Sequence, residues 1–427
     1  MDGREYEFLI VGSGAGGATL ARELSKRDKE VLVVERGRRE RIGTFRDSLR
    51  FYDATGLRMP RQSKEGVILW RTIMAGGSTV VSCGNATPCL EGELADFGIV
   101  LDDEFVEAEQ QMHVAPLAEG LLSEGSERIM EAAQGLGYKM EPMPKFLDPI
   151  RCQKCGQCVF GCASDAKWTA LDYLDEAEAN GADILYEIDV QRVLIENGRA
   201  KGIVGVKSQG QVEILSDVIV LAAGGLGTPV ILQQSGIERA GSGLFVDLLV
   251  NTYGVTRGLN QIHEPMMALV DHEFYEDEGF ILSPFVNHHR MVRFMEGGGP
   301  AARHPARRLI GIMTKTADDP VGRVFPDGTV SKPVTEADWG RLREGSSIAK
   351  EILIKAGADS ESIAVSKPQG GHPGGTAAIG RVVDEDLQTE VENLFVCDAS
   401  VLPKAPGMPP ILTICALAKW LAKRLAS

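Results

Sequence analysis

Four-residue runs of apolar side chains stand at positions 8–11 (Phe-Leu-Ile-Val), 31–34 (Val-Leu-Val-Val) and 218–221 (Val-Ile-Val-Leu). Unbroken runs like these, bounded by charged or glycine-rich stretches, mark strands buried on both faces, as in a parallel sheet. Residues 18–25 follow a helical pattern between the first two runs, so the N-terminus reads strand, turn, helix, strand. The third run leads through Ala222-Ala223-Gly224-Gly225 into a helix predicted to end near Gly236. Helical periodicity also marks 169–179 and the amphipathic stretch 336–356, and 99–149 is mixed and helical. The tail, 410–425, is predicted to be a helix opened by Pro410, a residue suited to a first turn because it has no N–H. Residues 183–193 and 201–206 look like hairpin strands about Asn197-Gly198. Between 241 and 362 the texture changes. Segments 266–270, 280–285 and 291–295, rich in Met, Phe and His, predict an antiparallel sheet. The fold class is α/β: a Rossmann-type unit with a smaller unit of antiparallel sheet plus helices.

The first turn carries chemistry. Gly12-Ser13-Gly14-Ala15-Gly16-Gly17 fits G-x-G-x-x-G between a strand and a helix. Gly12 permits the tight turn. Gly14 lets backbone approach a pyrophosphate seated on the helix N-terminus, beside Ala15, and Gly17 allows close helix–strand packing. Glu35, 18 residues past Gly17, can accept hydrogen bonds from a ribose. The motif alone does not choose FAD over NAD. Gly76-Gly77-Ser78-Thr79 forms a second small-residue turn.

Bulk properties narrow the classes. The 427 residues, 44% hydrophobic, give ample core for two to three domains of about 150 residues each. A net charge of −15 argues against a sequence-independent hold on nucleic acid or anionic lipid. The charged N-terminus lacks a secretory pattern, and the longest apolar run, 218–232, is too short to span a bilayer and is broken by glycines and Pro229. A cytoplasmic protein without a membrane span is expected. In a reducing compartment the eight cysteines should not form disulfides. Four of them, Cys152, Cys155, Cys158 and Cys162, fall within eleven residues at ferredoxin-type spacing. All four could hold one 4Fe–4S cluster, or three could do so with Cys83 or Cys89. A 3Fe–4S cluster, zinc or free thiols are the alternatives.

An ordered set of segments resembles the glucose–methanol–choline (GMC) oxidoreductase family over nearly the whole chain. They are 11–17; Glu35-Arg36-Gly37; Gly76-Gly77-Ser78; Cys158 to Cys162 with Ala166-Lys167; Ala223-Gly224 through Ser235-Gly236-Ile237; His372-Pro373-Gly374-Gly375-Thr376; and 393–400. The resemblance implies FAD and hydride transfer from a carbinol carbon to flavin N5. It implies an FAD-binding domain at 1–98, 150–240 and 364–427, and a substrate domain, trimmed for the family, at 99–149 and 241–363. Gly12, Gly14, Ala15, Gly17, Glu35 and Arg36 would hold the ADP half. Val190 would meet adenine through its backbone. Gly76, Gly77, Ser78, Ala223 and Gly224 would line the pyrophosphate and flavin, with Asp398 near the ribityl and phosphate. Pro409 and Pro410 would lie against the pyrimidine edge.

His372 matches the family's base, a role that needs a side chain titrating near working pH. The partner position departs from the family. Relatives place Asn or His just before the last helix, whereas this chain has Pro409-Pro410-Ile411-Leu412-Thr413, and proline offers neither donor nor base. Either His372 works alone or a polar group of the substrate domain substitutes, with His263, His288 and His289 as candidates. Some sugar dehydrogenases of the family carry an iron–sulfur centre in the cysteine segment. A cluster would pass electrons singly to a protein acceptor and make the chain a dehydrogenase rather than an oxidase. Two alternatives stand beside oxidation of a small-molecule alcohol or sugar: C–C or C=C bond redox chemistry on an apolar substrate, and an electron-transfer subunit of a larger complex. Met266, Met267, Phe280, Phe285, Met291, Phe294 and Met295 would suit an apolar pocket, although core packing is their default.

Overall fold

The computed structural model describes residues 6–55, 59–208, 210–287, 291–292 and 303–426. Along the chain, β1 (Phe8–Val11), α1 (Ala15–Ser25) and β2 (Val31–Glu35) come first. Helices α2 (Asp102–Gln111), α3 (Glu124–Gln134) and α4 (Ala170–Ala179) follow. Next are β3 (Asp183–Tyr186), β4 (Ile188–Glu196), β5 (Arg199–Lys207), β6 (Gly210–Leu215), β7 (Val218–Leu221) and α5 (Gly224–Gln234). The remainder supplies β8 (Leu248–Val255), β9 (Phe280–Pro284), β10 (Leu309–Thr316), α6 (Glu336–Lys355), β11 (Leu394–Val396) and α7 (Ile411–Leu425).

The apolar runs form the expected parallel sheet, in the order β11-β7-β1-β2-β3. Phe8 lies opposite Val31 on one side and Val218 on the other, and every residue of β1 and β2 is buried. Each such Leu, Ile or Val contributes about 1.5–3 kcal/mol through burial. Helix α1 packs against α4 and α7. Helix α4 starts from a capping box in which Thr169 and Asp172 exchange backbone and side-chain hydrogen bonds.

The second sheet runs β9-β10-β8 antiparallel and continues through the short strands Gln369–Gly370 and Ile68–Leu69. Helix α6 packs on it. In its register Leu249 faces Lys315 and Asn251 faces Met313. Side chains alternate along strands, so these four share one face.

Several segments differ from the sequence expectation. The stretch 183–193 is two strands, because Glu187 takes a left-handed φ of 63° and turns the chain from β3 into β4. The hairpin β4-β5 gains a third strand, β6, whose Gln and Glu hide its alternation. Of 266–270 only Leu269–Val270 is a strand, since Met267 sits at φ 55°. Met291 and Val292 are helical, and the rest of that expected strand, with Phe294 and Met295, lies outside the described residues. No helix among the described residues is long and apolar enough to cross a membrane.

Candidate active site

The turn after β1 has the shape its glycines require. Gly12 has φ 103°, a left-handed value that L side chains avoid. A Cβ on Gly17 would collide with the carbonyl of Gly12, so glycine there sets the helix–strand approach. Gly14 is the N-cap of α1, no side chain caps that end, and a Cβ on Gly14 would meet nothing within 4 Å. The first-turn N–H groups, starting at Ala15, therefore border open space, where an anion is favoured. The second turn stands beside it. A Cβ on Gly77 would lie 3.1 Å from Gly14 Cα, and Gly76 N donates to Ser13 Oγ at 3.2 Å. Ser78 Oγ accepts from Thr72 N at 3.2 Å. Ala223 is the N-cap of α5, and the space around Gly224 is also open. This cradle fits a dinucleotide.

The two acids placed at the cradle by sequence hold its backbone. Glu35 Oε2 accepts from Ser13 N at 3.0 Å and Ser13 Oγ at 2.7 Å, while Oε1 accepts from Gly37 N at 2.6 Å. Asp398 Oδ2 accepts from Gly224 N at 2.8 Å and Thr228 Oγ1 at 2.5 Å, and Oδ1 accepts from Ser400 N at 2.7 Å. Burial raises the pKa of both, against these hydrogen bonds. Glu35 thus fixes the glycine turn to the end of β2, and Asp398 fixes the start of α5. Arg36 is partly exposed and lies 3.7 Å from Asp189. Val190 is buried at an irregularity in the β4-β5 pairing.

His372 is joined to this cradle through its neighbour: a Cβ on Gly225, at the start of α5, would collide with Pro373 O. The His372 Nδ1 lies 2.9 Å from Asp247 Oδ2. Asp247 is wholly buried at φ 50°, and its Oδ1 accepts from Gly407 N at 2.9 Å. Lys315 reaches the same carboxylate from β10, with Nζ 3.4 Å from Oδ2. Lys315 is 1% exposed, and among the described residues its Nζ has no well-aligned hydrogen-bond partner. Burial lowers the pKa of His372, Lys315 lowers it further, and Asp247 opposes both. Burial likewise lowers the pKa of Lys315, against the pull of Asp247.

Pro409 and Pro410 are buried, and Pro410 is the N-cap of α7. Thr413 is committed elsewhere: its Oγ1 accepts from Cys89 N and donates to Cys89 O, each at 3.1 Å. Among the candidate partners, His263 is exposed, while His288 and His289 lie outside the described residues. The polar group that the second sheet brings to His372 is Lys315, with Asp247. Neither was singled out by a motif. The signal for Lys315 is a lone lysine in the otherwise uncharged strand Leu-Ile-Gly-Ile-Met-Thr-Lys-Thr.

The cysteine run gives a different result from its spacing. Among the described residues, no three His, Cys, Asp or Glu side chains are grouped to hold a metal ion. Cys155 is exposed, Cys162 Sγ accepts from Ala166 N at 3.3 Å, and Cys89 is engaged with Thr413 at 3.1 Å. Lys167 fills the space behind the run. Its Nζ donates to Val80 O at 3.0 Å, Ser82 O at 2.6 Å and Cys158 O at 3.1 Å. The iron–sulfur or zinc site expected from Cys152, Cys155, Cys158 and Cys162, with or without Cys83 or Cys89, finds no support among the described residues. The run instead ties itself to the 76–82 turn.

Comparison with known proteins agrees with the architecture. Models of the GMC oxidoreductase family match residues 99–259 and 319–418, and an NAD(P)-binding Rossmann-like model matches residues 10–48. An uncharacterized protein of Methanocaldococcus jannaschii is 31% identical over 98% of this chain and 100% of its own length. A long-chain-alcohol oxidase of Arabidopsis thaliana is 24% identical over 98% of this chain and 68% of its own. The crystal structure of pyridoxine 4-oxidase from Mesorbium loti shares the fold, with a TM-score of 0.74 and 18% identity over 98% of this chain and 99% of that one. With both halves of the family model matched in order, the chain belongs to the GMC oxidoreductase family.

Proposed function

We propose that this protein is an FAD-dependent oxidoreductase that oxidises a carbinol, with His372 as the base. In this reading the parallel-sheet half holds the nucleotide and the antiparallel half the alcohol. The observation that carries it is the Asp247–His372 hydrogen bond, set directly against the cradle that begins at Gly224.

Asp247 accepts from Nδ1–H, which assigns the ring tautomer and leaves the Nε2 lone pair free. Burial and Lys315 keep the imidazole neutral, the form a base requires. His372 then removes the hydroxyl proton at Nε2. The bound dinucleotide supplies the two-electron acceptor for the carbinol hydrogen. The N-terminus of α7, opened by Pro410, presents unpaired N–H groups and favours negative charge nearby. Met266, Met267, Ile281, Phe285 and Met313 are packed into the same core as the parallel sheet. The long-chain-alcohol oxidase among the relatives favours an alcohol with an apolar body.

The test is anaerobic stopped-flow reduction of the flavin by the most reactive member of a panel of aliphatic and aromatic primary alcohols. His372→Ala should slow reduction about 100-fold or more. A rate within a few-fold of the native enzyme would remove His372 from the mechanism.

A further inference from the structure

We propose that Lys315 is a positioning residue that divides the charge of Asp247 and so keeps His372 a neutral base. The proposal rests on the role of His372 given above. Its geometry is a three-member chain. Asp247 Oδ2 receives His372 Nδ1 at 2.9 Å and faces Lys315 Nζ at 3.4 Å, while Oδ1 is held by Gly407 N at 2.9 Å. Asp247 and Lys315 are both shielded from water. In such a place a carboxylate without a counter-charge is costly, and it would recruit a proton onto the nearest imidazole. Lys315 supplies the counter-charge, so His372 need not.

Two features mark Lys315 as more than a structural cation. Other buried lysines are saturated. Lys167 donates to three carbonyls, and Lys145 donates to Cys83 O at 3.0 Å, Met266 O at 2.9 Å and Asn85 Oδ1. Among the described residues Lys315 Nζ faces the Asp247 carboxylate alone, at 3.4 Å and without a well-aligned hydrogen bond. Asp247 is also held by Gly407 N, two residues before Pro409, whose side chain offers neither donor nor base.

The other ionisable groups around it are accounted for. Asp318, which accepts from Val246 N and Leu248 N on either side of Asp247, is balanced by Lys332 at 2.9 Å. Burial pushes the thiols of Cys83 and Cys89 up to about 12, so both stay neutral. Tyr275 is neutral as well, its pKa raised by burial, and it donates to Pro406 O at 2.9 Å.

Two readouts test the proposal on the flavin-loaded protein. The first is the titration of the His372 imidazole by NMR of protein labelled with ¹⁵N-histidine, assigned with His372→Gln. The second is the pH dependence of flavin reduction. Lys315→Met should raise the imidazole midpoint, and the acid limb of the rate profile with it, by about one pH unit or more. Lys315→Arg, which keeps the charge, should leave both near the native values. If Lys315→Met does not fold, Lys315→Gln carries the same prediction, because it keeps a donor to Asp247 and removes the charge. Native midpoints in the neutral variant would overturn the inference, even with His372→Ala inactive. An active His372→Ala would overturn the proposed function instead.

Discussion

Asp247, held at a left-handed φ of 50°, places its Oδ2 2.9 Å from His372 Nδ1 while its Oδ1 accepts from Gly407 N. Asn tolerates that backbone conformation, so Asp247→Asn leaves the turn unstrained. The N–H of Gly407 needs an acceptor, which turns the amide oxygen toward it and the NH₂ toward His372. The imidazole then has to accept at Nδ1 and carry its proton on Nε2, the wrong tautomer for a base. Flavin reduction should fall at least about tenfold, with alcohol binding little changed. Equal reduction rates in the two proteins would contradict this role for Asp247.

Gly14 and Gly17 separate ligand binding from folding. Valine at Gly14 would enter open space at an extended φ of −72° and should change the stability of the flavin-free protein by no more than about 0.5 kcal/mol. It should nevertheless abolish retention of the dinucleotide. Valine at Gly17 would collide with Gly12 O and should destabilise the fold by about 1–3 kcal/mol or more, with or without ligand. Thermal melting with the flavin-to-protein ratio distinguishes the two. A Gly14→Val protein that keeps full flavin would show that the cradle lies elsewhere.

Glu264 makes stability depend on pH. It is buried and accepts from Ser126 Oγ at 2.6 Å and Ser123 N at 3.0 Å, at the cap of α3. Burial pushes its pKa from 4.5 up to about 7. The folded state therefore favours the protonated acid. Its stabilisation is complete below 4.5 and is lost as pH rises through about 7. The full span is worth about 3 kcal/mol at most. Asp318, raised by burial to about 6, has the same sign. Melting temperature should fall between pH 5 and pH 8, and Glu264→Gln should flatten that fall. An unchanged slope in the variant would show that Glu264 is ionised in the folded protein.

The thiols lead to a further prediction. With Cys155 at the surface, Cys162 turned to its own loop and Lys167 behind the run, protein purified without air should show flavin absorption and carry no stoichiometric iron or sulfide. Stoichiometric iron with a cluster EPR signal after reduction would contradict the placement of these side chains.

What was legible in the sequence follows from locality. Runs 8–11, 31–34 and 218–221 declare a parallel sheet because a strand buried on both faces leaves no polar position in its own sequence. The glycine turn is equally local, since each glycine answers to backbone a few residues away or to one crossing. Glu35 was found by position, yet its carboxylate serves the turn, because Ser13 brings two donors to it. The split at Glu187 was hidden because a single left-handed residue leaves no periodic trace. Asp247 and Lys315 were invisible for another reason. The pair forms only when β10 lies beside β8, 68 positions separating the two residues, and no short motif encodes that meeting. The cysteine spacing was legible as well, yet among the described residues it gathers no group of three thiols able to hold a metal ion.

The most direct test of the whole account is a crystal structure of the flavin-loaded protein. The pyrophosphate should lie over Gly14 at the N-terminus of α1, and the free Nε2 of His372 should face the reactive edge of the isoalloxazine across a space wide enough for an alcohol. A dinucleotide bound away from Gly14, or a ring far from His372, would contradict it.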